Sequence, residues 1–425
     1  MRQPSGRPIT TLVTGIALMA GVLTGCGSGS GGGGKADKVT FWHGYTDAQA
    51  TAITKLVGEW NAAHPDQKVE PVFSNNDNTL QKTLASFVSG KAPSIAYQYS
   101  SSIPALSGRN QTQDLTSLVK SSPDFAWDDF FPAARQGATV SGKIYGVPAL
   151  VDNLSLVYNK KLFDAAGVKY PTPDWTWDDF RNASKKLTGK NKYGWAYVND
   201  GTEDTVWRFL ALLWQAGGDL LDAGDKKAAF ATPAGEQAMQ LLADMAVTDK
   251  SVYLDAGDQQ YLNLFNSGRI GMLWTGPWDL GSINKDVSYG VQYLPGKVTH
   301  ATIAGPDNYM VFDKRAKDAA WPFLKWLTSP EIHLRYAMQT GDLPLRASEQ
   351  KLPAYKEFLA KYPGNKVFVE NLAKNVTKSR PNISQYPRIS QVLGTAVQAV
   401  MLGKKQPRDA LKDAATEVDQ ILAGS

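Results

Sequence analysis

Apolar and polar positions follow two periodicities in the first part of the chain. Runs rich in apolar and β-branched residues predict strands at 38–42, 69–73 and 95–97. Between them, apolar residues recur at helical spacing, which predicts a helix after each of the first two strands. This alternation indicates an α/β fold with a mostly parallel sheet. Ligands bind such sheets at the carboxyl ends of the strands.

The pattern changes in the stretch 142–160. Two β-rich segments, 143–147 and 154–158, flank a joint that ends in the polar pair Asp152 and Asn153. We interpret the joint as a hinge between two lobes, with both polar side chains facing the cleft. A β-hairpin or an ordinary loop within one domain would give the same pattern.

Strands and helices continue to alternate beyond this joint. Residues 298–311 are expected to return the chain to the first lobe, and 343–346 to form a third crossing. A chain of 425 residues is too long for one ordinary core and suits two lobes. The predicted N-terminal lobe comprises residues 38–151 and 299–343, and the C-terminal lobe comprises residues 152–298 and 344–425.

The first residues read as a targeting segment. A basic start at Arg2 and Arg7, followed by a short apolar run, predicts that residues 1–25 are a secretion signal. The end of this segment resembles the bacterial lipobox, in which a cysteine, here Cys26, is lipidated. Residues 26–37 predict a flexible linker because most of them are Gly and Ser. A plain signal with a chance cysteine is the alternative, although Cys26 is the only cysteine of the chain.

Charge and catalytic motifs exclude several function classes. A formal net charge of +5, spread evenly, is too mild to indicate nucleic-acid binding. The four histidines are far apart in the sequence, and neither a metal-ligand spacing nor a nucleophile elbow occurs. We therefore expect no metal, no cofactor and no catalysis. The protein is also expected to be a monomer. A carboxylate pair for glycoside hydrolysis stays open, because such a pair is defined by the distance between the two carboxyl groups in the folded protein and not by their separation along the sequence.

Aromatic residues are abundant, with 12 Trp and 17 Tyr. An aromatic ring stacks on the apolar face of a sugar, and amide, carboxylate or guanidinium groups hydrogen-bond its hydroxyls. Core packing is the alternative for each aromatic residue. The predicted cleft segments offer these candidates: Trp42, His43, Tyr45, Asn75, Asn76, Gln98, Tyr99, Trp274, Gly276, Trp278, Gly305 and Asn308.

Four stretches in order resemble the maltose-binding-protein type of sugar-binding protein, family 1 of the extracellular solute-binding proteins. They are Phe41-Trp-His43, the crossover 146–160, Thr275-Gly-Pro-Trp278, and 320–331. The resemblance implies a type II periplasmic-binding-protein fold, α/β, with two lobes, a central cleft and hinge crossings. It also implies that Trp278 stacks on a sugar ring and that Asp152 hydrogen-bonds sugar hydroxyls. An Asx turn at the joint is the alternative for Asp152.

The same resemblance implies a function and partners. The protein is expected to be the lipid-anchored substrate-binding subunit of an ABC importer on the outer face of the cytoplasmic membrane. It would capture a carbohydrate, expected to be an oligosaccharide, and deliver it to the permease subunits by hinge closure.

The likeness weakens around 201–207, where Asp204 and Trp207 stand and the family's Tyr is missing. Arg346 is expected to reach a hydroxyl or an anion, with a surface ion pair as the alternative. Two other functions therefore stay open, namely a glycerol-3-phosphate or glycerophosphodiester binding protein and a secreted glycoside hydrolase.

Overall fold

Two β-sheets organise the protein, and the computed structural model describes residues 38–75, 78–257, 259–314, 317–374 and 376–424. The predicted signal, Cys26, the linker and the candidate Asn76 lie outside these residues. The strands are β1 Val39–His43, β2 Val69–Phe73, β3 Ile95–Tyr99, β4 Thr139–Val140, β5 Lys143–Ile144, β6 Gly146–Asn153, β7 Ser155–Asn159, β8 Tyr193–Val198, β9 Val252–Asp255, β10 Ile270–Thr275, β11 Tyr289–Gln292, β12 Thr302–Val311 and β13 Thr377–Lys378.

Helices cover both sheets. They are α1 Asp47–Ala63, α2 Thr79–Val88, α3 Ile103–Ser107, α4 Thr116–Lys120, α5 Pro132–Gly137, α6 Lys160–Ala165, α7 Trp177–Leu187, α8 Glu203–Gln215, α9 Pro233–Ala243, α10 Gln260–Asn266, α11 Lys317–Leu327, α12 Pro330–Thr340, α13 Ala354–Lys361, α14 Asn365–Ala373, α15 Tyr386–Met401 and α16 Pro407–Ala423. Among the described residues, no helix is both long and apolar enough to cross a membrane.

The first sheet has the strand order β13-β12-β3-β1-β2, with β6 also paired to β12. Its strands β1, β2 and β3 are parallel, as the alternation of strands and helices predicts. The long strand β12 runs antiparallel to both β3 and β6. The second sheet has the order β11-β7-β10-β8-β9. It is also mixed, because β7 runs antiparallel to both of its neighbours.

The chain passes from the first sheet to the second almost without a joint. Strand β6 ends at Asn153 and β7 begins at Ser155, so that Leu154 alone separates them. The prediction of a non-strand joint before residue 154 is wrong in this detail, because β6 pairs with β12 up to its last residue, Asn153. The prediction that the chain crosses from one sheet to the other is correct, because β6 and β7 belong to different sheets and so do not form a hairpin with each other.

Each sheet has its own buried cluster of apolar side chains. Phe41, Ile53 and Tyr309 belong to a cluster between the first sheet and helices such as α1 and α11. Trp195 and Trp274 belong to a larger cluster between the second sheet and helices such as α8 and α15. Burial of these apolar faces is the main favourable term in folding, so each sheet is stabilised largely by the helices packed on it.

Candidate binding site

A cavity of about 220 Å³ lies between elements of the two sheets. It is lined by Gly44, Thr46, Gln49, Asn75, Tyr97, Tyr99, Leu150, Asp152, Glu203, Asp204, Trp207, Arg208, Gln259, Tyr261, Trp278, Gly305, Asp307 and Arg380. No group of three or more His, Cys, Asp or Glu side chains suited to a metal ion occurs in the part of the chain that the structure describes.

Local structure explains why these residues meet. Strands β1, β2 and β3 are parallel, so the residues at and beyond their carboxyl ends, such as Gly44, Asn75 and Tyr99, share one edge of the sheet. Strands β6 and β12 add a floor, because Asp152 and Gly305 are paired across them. The opposite wall comes from the first turns of α8 and from the turn after β10.

Two carboxylates of this floor lie in unusual surroundings. Asp152 and Asp307 are only 5% and 6% exposed, and the Oδ1 atom of each accepts no hydrogen bond from the described residues. The Tyr97 hydroxyl donates to Asp307 Oδ2 at 2.5 Å. Burial raises the pKa of Asp307 to about 7 and raises the pKa of Asp152 well above its ordinary value, with nearby carboxylates adding to the latter effect. Both residues also line the cavity, so their carboxyl groups are candidates for hydrogen bonds with a ligand.

Asp307→Asn is expected to raise the free energy of unfolding of the ligand-free protein near pH 8 by roughly 1–4 kcal/mol. The carboxyl of Asp307 binds its proton more tightly in the folded state, where its pKa is about 7, than at the ordinary value of 3.8. Its contribution to stability is therefore complete below pH 3.8 and is lost as the pH rises through 7. Urea unfolding at about pH 5 and about pH 8 checks this, because the free energy of unfolding should fall less between these two pH values in the variant than in the unchanged protein. The same pH dependence in both proteins would refute the raised pKa.

Both arginines of the cavity are paired with carboxylates. Arg208 is buried, forms an ion pair with Asp204 one helical turn earlier, and donates from Nε to the Trp274 carbonyl at 3.2 Å. Arg380 donates from a guanidinium nitrogen to Glu203 Oε1 at 3.0 Å. These pairs leave little free positive charge for an anionic ligand.

Two tryptophans supply flat apolar surface, and glycines make room for them. Trp278 is half-buried on the cavity wall, and a methyl group at Gly276 would overlap its ring. Trp207 lies under the Arg380 guanidinium, with 4.6 Å between the guanidinium carbon and the ring centroid. A methyl group at Gly305 would overlap the Trp207 ring. Gly276 and Gly305 therefore position the two rings.

The structure brings seven of the predicted candidates to the cavity and leaves others elsewhere. Those that line it are Asn75, Tyr99, Asp152, Asp204, Trp207, Trp278 and Gly305. Those that do not are Trp42, His43, Tyr45, Gln98, Asn153, Trp274, Gly276, Asn308 and Arg346.

Most residues in the second group are occupied by packing or by internal hydrogen bonds. Trp42 packs against a small apolar cluster that includes Leu80 and Met310, and Trp274 packs against Trp195 in the core of the second sheet. His43 is buried beside Tyr45, whose hydroxyl bonds that of Tyr309 at 2.7 Å. Burial lowers the pKa of His43 to about 4, which makes it neutral at pH 7.

The three amides of this group bind neighbouring protein groups. The Gln98 amide donates to Thr83 Oγ1, the Asn153 amide to the Phe368 carbonyl, and the Asn308 amide to Ser100 Oγ, at 2.8–3.0 Å. Their amide N–H groups are therefore already committed within the protein.

Arg346 is a structural residue and not a ligand contact, which corrects the prediction. Its side chain is 2% exposed and donates to the carbonyls of Thr328, Phe125 and Ala126. Its guanidinium carbon lies 3.5 Å from the centroid of the Phe130 ring. The surface ion pair that was the alternative is wrong too, because the contact with Asp129 is long, at 3.8 Å, and the arginine is buried.

Sequence reasoning missed several lining residues. Tyr97 and Asp307 are each adjacent to a chosen candidate, and the period-two alternation of a strand would have identified Tyr97 as the neighbour of Tyr99 on one face. Arg380 had no signal in the sequence, because it comes from the segment between α14 and α15.

Comparison with known proteins agrees with this geometry. The family model for bacterial extracellular solute-binding proteins matches residues 44–333. The sn-glycerol-3-phosphate-binding periplasmic protein UgpB of Yersinia enterocolitica is 25% identical over 411 residues, and the match covers 91% of this chain and 92% of that protein.

Solved structures give the same result. An ABC transporter solute-binding protein from Thermotoga lettingae, bound with α-D-tagatose, is similar with a TM-score of 0.83 and 26% identity, over 91% of this chain and all of that one. An ABC substrate-binding protein from Listeria monocytogenes, in complex with cycloalternan, is similar with a TM-score of 0.82 and 25% identity, over 91% and 99%.

The likeness covers nearly all of the described residues and includes both sheets. The predicted fold class is confirmed as that of the type II periplasmic binding proteins, α/β with two lobes, a central cleft and hinge crossings. The chain belongs to the family of bacterial extracellular solute-binding proteins, the substrate-binding proteins of ABC transporters.

Proposed function

We propose that this protein captures a sugar in the cavity between its lobes and delivers it to an ABC permease. The observation that carries the proposal is one cavity that combines the half-buried ring of Trp278 with Asp152 and Asp307, each of which has a buried carboxylate oxygen without a partner among the described residues. An aromatic ring binds the C–H face of a sugar, and such oxygens accept hydrogen bonds from its hydroxyls. The indole N–H of Trp207, a further residue of the cavity, donates no hydrogen bond to any residue that the structure describes.

The size of the cavity favours a short sugar. Its volume of about 220 Å³ lies below the usual range of small-molecule pockets, about 300–1,000 Å³. One or two sugar rings suit it better than the oligosaccharide that the sequence led us to expect. The sugars bound by the two similar structures support the class of ligand but differ widely from each other in size.

Delivery would depend on hinge closure. The crossing from β6 to β7 and the return from β11 to β12 connect the two sheets, and strands β6 and β12 of these crossings line the cavity. Bound sugar would shift the population toward a closed form that the permease recognises, because it contacts both lobes only in that form. A lipid on Cys26 would hold the protein at the outer face of the cytoplasmic membrane.

A glycerophosphate ligand fits the described cavity less well. Its phosphate needs a free cationic group, whereas Arg208 and Arg380 are paired with Asp204 and Glu203. We therefore place this function, which is that of the Yersinia relative by its name, behind sugar binding.

A thermal-shift screen tests the proposal. The panel contains neutral mono- and disaccharides, sn-glycerol 3-phosphate and glycerophosphocholine. A sugar present at 100 times its Kd should stabilise the folded protein by about 2.7 kcal/mol through mass action. A shift with the phosphate compounds and none with any sugar would overturn the proposal. Assaying reducing ends after incubation with the stabilising sugar separates binding from hydrolysis, because a binding protein releases none.

A further inference from the structure

Carboxylates outnumber cationic groups around the cavity. Four carboxylates line it, and two more, Asp342 and Asp279, are buried directly behind lining residues. Asp342 accepts two hydrogen bonds from the lining residue Gln49, and Asp279 is hydrogen-bonded to the lining residue Tyr261. The cationic residues of the described lining are Arg208 and Arg380.

The two arginines neutralise only one side of the cavity. Arg208 pairs with Asp204, and Arg380 pairs with Glu203, so both pairs lie at the first turns of α8. Asp152 and Asp307 on the opposite floor form no ion pair within 4 Å with any described residue, although Arg380 lowers the pKa of Asp307 from a greater distance. Their charge is therefore compensated only weakly.

Asp152, Asp307 and the nearby carboxylate Asp342 come from or lie close to the segments that connect the two lobes. Asp152 lies on β6, Asp307 lies on β12, and Asp342 lies just after α12, close to the predicted third crossing. All three are at least 94% buried. Burial raises the pKa of each, and Asp342 raises the pKa of the other two further by repulsion. Three like charges in one buried region cost free energy unless a cation or protons offset them.

We propose that the sugar bound here carries a basic amino group, and that Asp152 and Asp307 together bind its ammonium. This inference rests on the proposed sugar-binding function and names the class of sugar, an amino sugar. The Oδ1 atoms of both residues have no hydrogen-bond partner in the described part of the chain, and they belong to side chains that line the cavity. An ammonium has three N–H donors, so it can donate to both carboxylates at once. It also carries a positive charge that offsets the negative charge of the carboxylates, whereas a neutral hydroxyl does not.

The rest of the site accommodates the sugar body. Trp278 and Tyr99 line the cavity with aromatic surface for the ring, while Glu203 and Asp204 retain their arginine partners. An anionic sugar would instead face Asp152 and Asp307 and be repelled. The expected order of affinity is therefore amino sugar, then neutral sugar, then sugar phosphate.

Isothermal titration calorimetry with matched sugars tests the inference. The probes are glucosamine, galactosamine and mannosamine, each compared with its parent hexose and its N-acetyl derivative at pH 7. We expect at least one amine to bind ten- to a hundredfold more tightly than both of its neutral counterparts. Asp152→Asn and Asp307→Asn keep the size and an acceptor oxygen but remove the charge, so each should abolish most of this preference.

Glu236→Gln is the matched control, because it also removes one negative charge but does so outside the cavity lining. Glu236 forms an ion pair with Arg408, whose side chain is 78% exposed. This variant should keep the full preference for the amine. Equal or tighter binding of the neutral sugar in every pair would overturn the inference and leave the proposed function standing. Binding of none of these sugars, amine or neutral, would count against both. A preference for the amine that survives in both Asn variants would also overturn the assignment to these carboxylates.

Discussion

Trp278→Ala is expected to weaken binding of the sugar by about 2–4 kcal/mol, the range for an aromatic residue at the centre of a binding site. The indole lies on the cavity wall and would lose its contact with the sugar face, whereas only part of it packs on the core of the second sheet. The stability of the ligand-free protein should therefore change much less than the affinity. Calorimetry with the sugar found in the screen measures the first quantity, and urea unfolding without ligand measures the second.

Trp274→Ala is the matched control, four residues earlier on β10. Trp274 is 1% exposed and packs against Phe180 and Trp195, so its loss should cost about 3–5 kcal/mol of stability by leaving a cavity in the core. Trp278→Ala should therefore lower mainly the affinity, and Trp274→Ala should lower mainly the free energy of unfolding. If Trp278→Ala lost stability as Trp274→Ala does while keeping its affinity, Trp278 would be a core residue and the site would be elsewhere.

Arg346→Ala is expected to destabilise the protein by roughly 3–5 kcal/mol and to leave the affinity of the folded protein for its sugar unchanged. The guanidinium satisfies three backbone carbonyls, those of Thr328, Phe125 and Ala126. It also packs on the Phe130 ring. Removal would leave buried acceptors unpaired and lose the cation–π contact. Urea unfolding monitored by circular dichroism measures the loss.

Arg335→Ala serves as the comparison for this prediction. Arg335 forms an exposed ion pair with Glu59, with 2.7 Å between nitrogen and oxygen, and such pairs contribute about 0–1 kcal/mol. A loss of affinity in Arg346→Ala, with stability close to that of Arg335→Ala, would restore the role in ligand binding that the sequence suggested.

Several site residues could be predicted because their signal is local. Trp278 follows Gly276-Pro277, a turn that only a small residue at 276 allows, and Asp152 is the last but one residue of a strand that leads into the crossing between sheets. Asn75 and Tyr99 follow from the rule for the carboxyl ends of parallel strands.

Other site residues could not be predicted from a single stretch of sequence. The side chains of Tyr97 and Tyr99 point to one face of β3 and that of Gln98 to the other, so that the choice of face depends on which one the second lobe covers. The same holds for β12, where Asp307 lines the cavity while the neighbouring Asn308 bonds Ser100. A buried arginine and a cleft arginine cannot be told apart by composition. For that reason Arg346 was assigned to the site wrongly and Arg380 was missed.

The sequence by itself determined the alternation of strands and helices and the presence of a tryptophan after a rigid turn, because each depends on neighbouring residues and their periodicity. The crossing between sheets at 142–160 needed the family resemblance as well, because the pattern alone also fitted a hairpin or a loop. Only the tertiary structure decided which of the polar side chains would meet. Asp152, Asp307 and Arg380 are far apart along the chain and become neighbours of one cavity through strand pairing and lobe packing. Their burial and charge balance are properties of that assembly, and these properties lead from a general solute-binding site to a particular class of sugar.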